Sequence, residues 1–140
     1  MMKTTTRSWS PVVTVISVLM VAEAVTFLLA ALLHLGIPLG FSEPRILPAA
    51  IVEGLCGLFL AVSTYAVVAR AHLAWGVALA AHLVAVAGVV LGITALALGA
   101  GPSTEANTIY HRVILGILIV VLLLLATPAA RAALRRRTQA

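Results

Sequence analysis

The sequence predicts an all-α integral membrane protein, a bundle of four transmembrane helices with both termini in the cytoplasm. Of its 140 residues, 63% are hydrophobic and only 9% are charged, whereas a soluble domain carries about 25% charged residues. The mean hydropathy is +1.19. The apolar residues gather in four runs, each near the roughly 20 residues that span a hydrocarbon core, without the two-residue alternation of a membrane β-barrel. The apolar surface of such a bundle is therefore predicted to lie in the lipid bilayer, which is the predicted partner of the protein.

Local signals place the ends of each helix. The four predicted helices occupy residues 11–35, 46–68, 73–98 and 109–126. Ser10 is a suitable cap for the first helix, since Pro11 is well tolerated in a first turn. By the same reasoning Ser42 is the predicted cap of the second helix. Residues 129–140 then form a basic cytoplasmic tail, and the whole chain makes a single domain.

Basic residues set the predicted orientation. Most of them flank the apolar runs at one end of the bundle: Lys3, Arg7, Arg70, Arg131, Arg135, Arg136 and Arg137. Cytoplasmic segments are enriched in Lys and Arg, so this end is predicted to be cytoplasmic. The composition is compatible with a bacterial source, which gives the inner membrane as the predicted location. No basic stripe is interleaved with aromatic residues, so the net charge of +5 does not indicate nucleic-acid binding.

Ionisable residues inside the apolar runs are the main indication of function. Glu23 falls near the bilayer midplane, where a charge costs at least about 2.5–3.5 kcal/mol. A helix rise of about 1.5 Å per residue places Glu23 at the depth of His82, and Glu53 at that of His111 and Arg112. These five residues form the predicted buried polar cluster. A Glu23–His82 hydrogen bond and a Glu53–Arg112 ion pair are the predicted contacts, and His34 and Tyr110 are placed at the outer mouth.

Three functions are open for such a cluster. The first is proton-linked activity or the binding of a small ligand, because histidine titrates near neutral pH. The second is a redox accessory role with haem or a divalent metal as cofactor, for which His34, His111 and Glu53 are candidate ligands, although familiar ligand spacings are absent. The third is a structural subunit in which the polar pairs only fix helix register. A homo-oligomer or a partner subunit is compatible with each of them.

The sequence favours a non-enzymatic role. Glu53, Cys56, His111 and Arg112 could supply an acid, a base and an anion-holding group, but no serine elbow or phosphate-binding loop accompanies them. Cys56 is the only cysteine, and it is best interpreted as a small buried core residue. The GxxxG motif that ends at Gly92 predicts close helix packing within the monomer. No motif ties the chain to a known family.

Overall fold

The computed structural model describes residues 10–102 and 104–135, and this part of the chain is all-helical apart from its connections. The helices are α1 (Pro11–His34), α2 (Leu47–Val68), α3 (Ala74–Ala97), α4 (Glu105–Ala126) and α5 (Pro128–Arg135). The first four are long and apolar enough to cross a membrane, which confirms the prediction of an all-α fold with four candidate spans. The predicted topological signals Lys3, Arg7, Arg136 and Arg137 lie outside the described residues.

The four long helices form a ring in which neighbours along the chain are neighbours in space. Helix α1 packs against α2, α2 against α3, α3 against α4, and α4 closes the ring against α1. Helices α1 and α3 therefore face each other diagonally. The outer surface is apolar, with Val18, Leu91 and Leu123 each more than 60% exposed. We call the end with the α1–α2 and α3–α4 connections the loop end, and the opposite one the α5 end.

Helix α1 has well-defined limits at both ends. Ser10 caps its N-terminus as predicted. At the other end Gly36 adopts a φ of +90°, a conformation that costs glycine little. Its N–H donates to the carbonyl of Leu33 at 2.8 Å, and the N–H of Ile37 donates to Leu32 at 3.1 Å. These two bonds form a Schellman motif, which turns the chain sharply into the connection to α2.

The prediction that Ser42 caps α2 is wrong. The helix begins at Leu47 and has Pro48 in its first turn, and no side chain caps it. A helix that started at Ser42 would place Pro48 beyond the first turn, where its ring clashes with the carbonyl four residues earlier. Residues 37–46 therefore form an irregular loop that extends over the loop end of the bundle.

Helix α4 begins four residues earlier than predicted, at Glu105. The hydroxyl of Thr104 accepts a hydrogen bond from the N–H of Asn107 at 3.1 Å, and Glu105 lies at the positive end of the helix dipole. The capping residue and the acid thus start the helix before its first strongly apolar residue. As a result Asn107, which precedes the predicted range, lies in the first turn of α4.

The two glycines of the GxxxG motif both face other helices of the same chain. A Cβ atom at Gly88 would lie 2.9 Å from Sγ of Cys56 on α2, and one at Gly92 would lie 2.8 Å from Nε2 of His111 on α4. Each position therefore requires glycine because a neighbouring side chain occupies the space. The motif accordingly packs α3 against both of its neighbours within the monomer.

The predicted basic tail contains a helix that was not predicted. Helix α5 buries Ala130 and Leu134 against the ends of α1, α3 and α4. These two residues are four apart, so they share one face of a helix. The sequence pattern for this packing is short and lies among arginines, and it is easily missed when the segment is interpreted by charge alone.

Candidate functional site

Two buried pairs, each of a histidine and a glutamate, lie in the interior of the bundle. Glu23 on α1 is paired with His82 on α3, and His34 on α1 is paired with Glu53 on α2. All four side chains are buried. The first pair lies at the centre of the bundle and the second lies towards the loop end.

The central pair crosses the diagonal of the bundle. Nε2 of His82 lies 2.9 Å from Oε2 of Glu23, and the two residues are at most 1% exposed. The pair separates two apolar layers, one around Met20 at the α5 end and one around Phe27 nearer the loop end. The predicted Glu23–His82 hydrogen bond is therefore present, between two helices that are not ring neighbours.

The geometry of the central pair determines its proton content. A carbonyl oxygen can only accept, so Nδ1 of His82 carries a hydrogen and donates it to Ala78 at 2.7 Å. One further proton must lie between Nε2 and Oε2 of Glu23, since a nitrogen lone pair would otherwise face a carboxylate oxygen. The pair is either imidazolium with carboxylate or imidazole with carboxylic acid. Its net charge is zero in both states, which lowers the cost of burying it.

The outer pair differs from the predicted one. Nδ1 of His34 donates to Oε2 of Glu53 at 2.7 Å, so the predicted Glu53–Arg112 ion pair is replaced by a Glu53–His34 pair. The depths predicted from the helix rise compare Cα positions and leave out the direction in which each side chain extends. Side chains lean towards the N-terminus of their own helix, and α1 and α2 are antiparallel, so His34 and Glu53 lean towards each other and close the difference in height.

The two remaining members of the predicted cluster lie on α4, apart from both pairs. Nδ1 of His111 donates to the carbonyl of Asn107 at 2.9 Å, and its ring is buried against Gly92 of α3. Arg112 is exposed, so its inclusion in a buried cluster was wrong. Both residues line a second cavity of about 230 Å³ between α3 and α4.

A larger cavity of about 480 Å³ opens beside the outer pair. Its walls come from α1, the α1–α2 loop and α4: Thr26, Leu29, Ala30, Leu33, His34, Leu39, Phe41, Glu43, Ala106, Asn107 and Tyr110. Thr26 and Leu29 are exposed on the outer surface of the bundle, so the cavity is accessible from the side that would face lipid. The loop over it is tied to α4 by a hydrogen bond from the Thr104 hydroxyl to Oε2 of Glu43, at 2.7 Å.

Several buried polar atoms around this cavity have no hydrogen-bond partner among the described residues. They are Nε2 of His34 and the hydroxyl of Tyr110, two residues that line the cavity, and Oε1 of Glu53, which is bound to His34; a further such atom, Oε1 of Glu23, belongs to the central pair. Tyr110 packs edge-on against Phe27, with 6.4 Å between ring centroids. Buried polar groups are normally satisfied, so this concentration of unpaired atoms marks the region as a candidate binding site.

The structure does not bring the candidate metal ligands together. His34 and Glu53 bind each other, whereas His111 donates to the backbone of its own helix. No group of three His, Cys, Asp or Glu side chains in residues 10–102 and 104–135 could hold a metal ion. His34 and Tyr110, placed at the outer mouth by the sequence, both line the larger cavity.

The cavity walls include residues that the sequence analysis did not select. Leu39 and Phe41 are large apolar residues in a short loop, and Gly40 between them has a φ of +87°. Two such residues in a connection are a signal for a loop that folds back onto the bundle. Asn107 also lines the cavity, although the sequence places it only among the polar residues at the start of the fourth helix and not in the site.

Comparisons with protein-family models, with curated proteins and with solved structures find no match for this chain. The assignment of a function therefore rests on the geometry of the residues described above.

Proposed function

We propose that this chain is a bacterial inner-membrane protein that binds a small amphipathic molecule in the larger cavity, with both termini in the cytoplasm. The single observation that carries this proposal is the state of His34. The residue lines the cavity and is 3% exposed; Nδ1 is held by Glu53, and the buried Nε2 has no hydrogen-bond partner among the described residues. A buried polar atom without a partner costs about 1–3 kcal/mol, and a bound ligand would remove that cost.

The walls define the chemistry of the ligand. A volume of about 480 Å³ is within the roughly 300–1,000 Å³ of small-molecule sites. Leu29, Leu33, Leu39 and Phe41 supply apolar surface, whereas His34 supplies a hydrogen-bonding group at one side. The opening lies on the outer surface of α1. These features favour a lipid-soluble molecule with one polar group, which enters the site from the bilayer.

The outer pair can couple this binding to a proton. Since Nδ1 donates to Glu53, Nε2 of His34 accepts a hydrogen bond when the ring is neutral and donates one when the ring is imidazolium. Binding of a head group that donates therefore favours one protonation state of His34, and binding of one that accepts favours the other. The proposed ligand binding would be proton-linked in this sense.

The central pair has a different role in this proposal. Glu23 and His82 line neither of the two cavities described above, and they are packed between two apolar layers. We assign them the structural role of fixing the register of α1 against α3. The haem or metal alternative has no comparable support, because His34 and His111 make separate hydrogen bonds and no group of three His, Cys, Asp or Glu side chains among the described residues could hold a metal ion.

The test is ligand binding after the cavity has been filled. Ala106 lines the cavity and is exposed, so Ala106→Phe occupies the space without disturbing the core. Ala80→Phe, at an exposed position of α3, is the matched control. The probe is 1-naphthol, a fluorescent phenol, titrated into protein in nanodiscs.

We expect saturable binding to the wild type and to Ala80→Phe, and binding at least tenfold weaker in Ala106→Phe. His34→Phe should weaken binding as well, because it removes the polar contact. Partitioning equal to that of empty nanodiscs, or equal affinity in the two phenylalanine variants, would refute the proposal.

A further inference from the structure

Two arginines and a tryptophan form a cationic site at the α5 end of the bundle, far from the cavity. The guanidinium carbon of Arg131 lies 5.1 Å from the centre of the Trp75 ring, and that of Arg135 lies 4.8 Å from it. Both distances are within the range of a cation–π interaction. The two arginines are four residues apart on α5, so they project from the same face.

The tryptophan is held in place by the junction between α4 and α5. Pro128 has no N–H, so the chain leaves carbonyls at the end of α4 without their usual helical partners. The indole N–H of Trp75 donates to one of them, that of Leu125, at 2.9 Å. The hydroxyl of Thr127 donates to the carbonyl of Leu124 at 2.7 Å. The ring is therefore a fixed platform, and the arginines pack onto it.

No carboxylate side chain compensates the two positive charges. The chain has four acidic residues: Glu23 and Glu53 are inside the bundle, and Glu43 and Glu105 are at the loop end. Like charges one turn apart on a helix repel each other. Both arginines are exposed, and with Pro128 and Ala132 they line a cleft of about 350 Å³. An anion in this cleft would relieve the repulsion.

Arginine is well suited to a phosphate in this arrangement. Its guanidinium plane packs on an aromatic ring and leaves N–H groups along the edge, which match the oxygens of a phosphate group. A lysine would supply only a point charge. The stacking on Trp75 thus orients the donors of both side chains before an anion arrives, and less side-chain entropy is lost on binding.

We propose that this cleft binds the phosphate of an anionic phospholipid headgroup. Exposed apolar residues near the cleft favour a lipid over a free phosphate as the ligand. Leu73 and Leu123 are 66% and 65% exposed, and they lie near this end of α3 and α4, where acyl chains would pack. Helix α5 buries one face on the bundle and presents its arginines on the other, as an interfacial helix does. Tryptophan and arginine are typical of the membrane–water interface, where such a helix lies.

The site is independent of the ligand cavity, which lies at the loop end, so either proposal can fail without the other. Quenching of the fluorescence of Trp75 provides the measurement. The chain has two tryptophans, and Trp9→Phe leaves Trp75 as the only one. This protein is placed in phosphatidylcholine bicelles, to which brominated phosphatidylglycerol or brominated phosphatidylcholine is added. The acyl chains are the same in both, so the two lipids differ only in the headgroup, which is anionic in one and zwitterionic in the other.

We expect brominated phosphatidylglycerol to quench Trp75 at least twofold more strongly than brominated phosphatidylcholine at equal mole fraction. The preference should be lost when Arg131→Gln and Arg135→Gln are combined, and should persist in Arg112→Gln, a control at the loop end. Lysine at both positions keeps the charge but loses the planar fork, so we expect an intermediate preference.

Two results would overturn the proposal. The first is equal quenching by the two lipids in the parent protein, or a preference unchanged by the double glutamine variant. The second is displacement of the lipid by inorganic phosphate at millimolar concentration and constant ionic strength, which would assign the cleft to soluble anions. A phosphate effect no larger than that of chloride supports the lipid.

Discussion

Nε2 of His82 lies 2.9 Å from Oε2 of Glu23, and this hydrogen bond joins two helices that face each other across the diagonal of the bundle. It is the only polar contact described between α1 and α3 in residues 10–102 and 104–135. The two residues are far apart in the sequence, but apolar layers above and below the pair hold both side chains in place. The contribution of this pair to the stability of the protein can be separated into a part from hydrogen bonding and a part from charge.

Glu23→Leu should destabilise the protein more than Glu23→Gln. Leucine leaves Nε2 of His82 unpaired in an apolar interior, at a cost of about 1–3 kcal/mol. Glutamine keeps the bond, because its amide can donate to Nε2 while Nδ1 donates to Ala78. Unfolding by SDS in mixed micelles measures the stability of both variants, and Met20→Leu, a change of similar volume in the adjacent apolar layer, is the control. Equal losses of stability in the two Glu23 variants would show that the pair stabilises the protein through charge and not through hydrogen bonding.

Glu53 should be energetically coupled to His34 and not to Arg112. A double-mutant cycle with Glu53→Gln and His34→Gln should give about 0.6–1.7 kcal/mol, as for hydrogen bonds between transmembrane helices. The cycle with Arg112→Gln should be additive within about 0.5 kcal/mol. The same unfolding measurement serves both cycles. Coupling to Arg112 and none to His34 would favour the pairing predicted from depth over the one in the structure.

These two pairs show what depth along a helix can and cannot predict. Glu23 and His82 lie on parallel helices, so their side chains lean the same way and the Cα heights suffice. His34 and Glu53 lie on antiparallel helices, where the lean of each side chain adds to that of the other. The sequence therefore identified the correct partner for Glu23 but not for Glu53. The number of long helices and their approximate extent were predictable from hydropathy, whereas the start of α4 was not, because the Thr104 cap and Glu105 determine it.

The cavity could not be predicted because it depends on where a loop packs. Phe41 forms part of its wall because Ser42 does not cap α2, so that residues 37–46 form a loop before the helix begins at Leu47. The same holds for α5, whose packing depends on Ala130 and Leu134 reaching the bundle. Short apolar patterns in connections carry little information until the positions of the helices are known.

Gly92→Ala should destabilise the contact between α3 and α4. A methyl group there would lie 2.8 Å from Nε2 of His111, so the ring must move, at a cost of about 1–3 kcal/mol. Gly116→Ala is the matched control, since nothing lies within 4 Å of its Cβ position; it should be neutral or stabilise by up to about 1 kcal/mol. In a His111→Ala background the Gly92→Ala penalty should disappear. A penalty that persists there would mean that another contact is responsible.

Thr127→Val should loosen α5 and leave the four long helices intact. The Thr127 hydroxyl donates to Leu124 at 2.7 Å and accepts from the N–H of Ala130 at 3.2 Å, so it serves the end of one helix and the start of the next. Losing such a cap costs about 0.5–2 kcal/mol.

Hydrogen exchange resolved along the chain measures this loosening. Amides of α5 should exchange several-fold faster in Thr127→Val and remain as in the wild type in Thr94→Val, whose hydroxyl also donates to a backbone carbonyl at 2.8 Å but caps no helix. Thr127→Ser should keep most of the protection, because its hydroxyl can make the same two bonds. Equal exchange in the two valine variants would show that Trp75 and the buried face of α5, rather than the Thr127 cap, hold this helix in place.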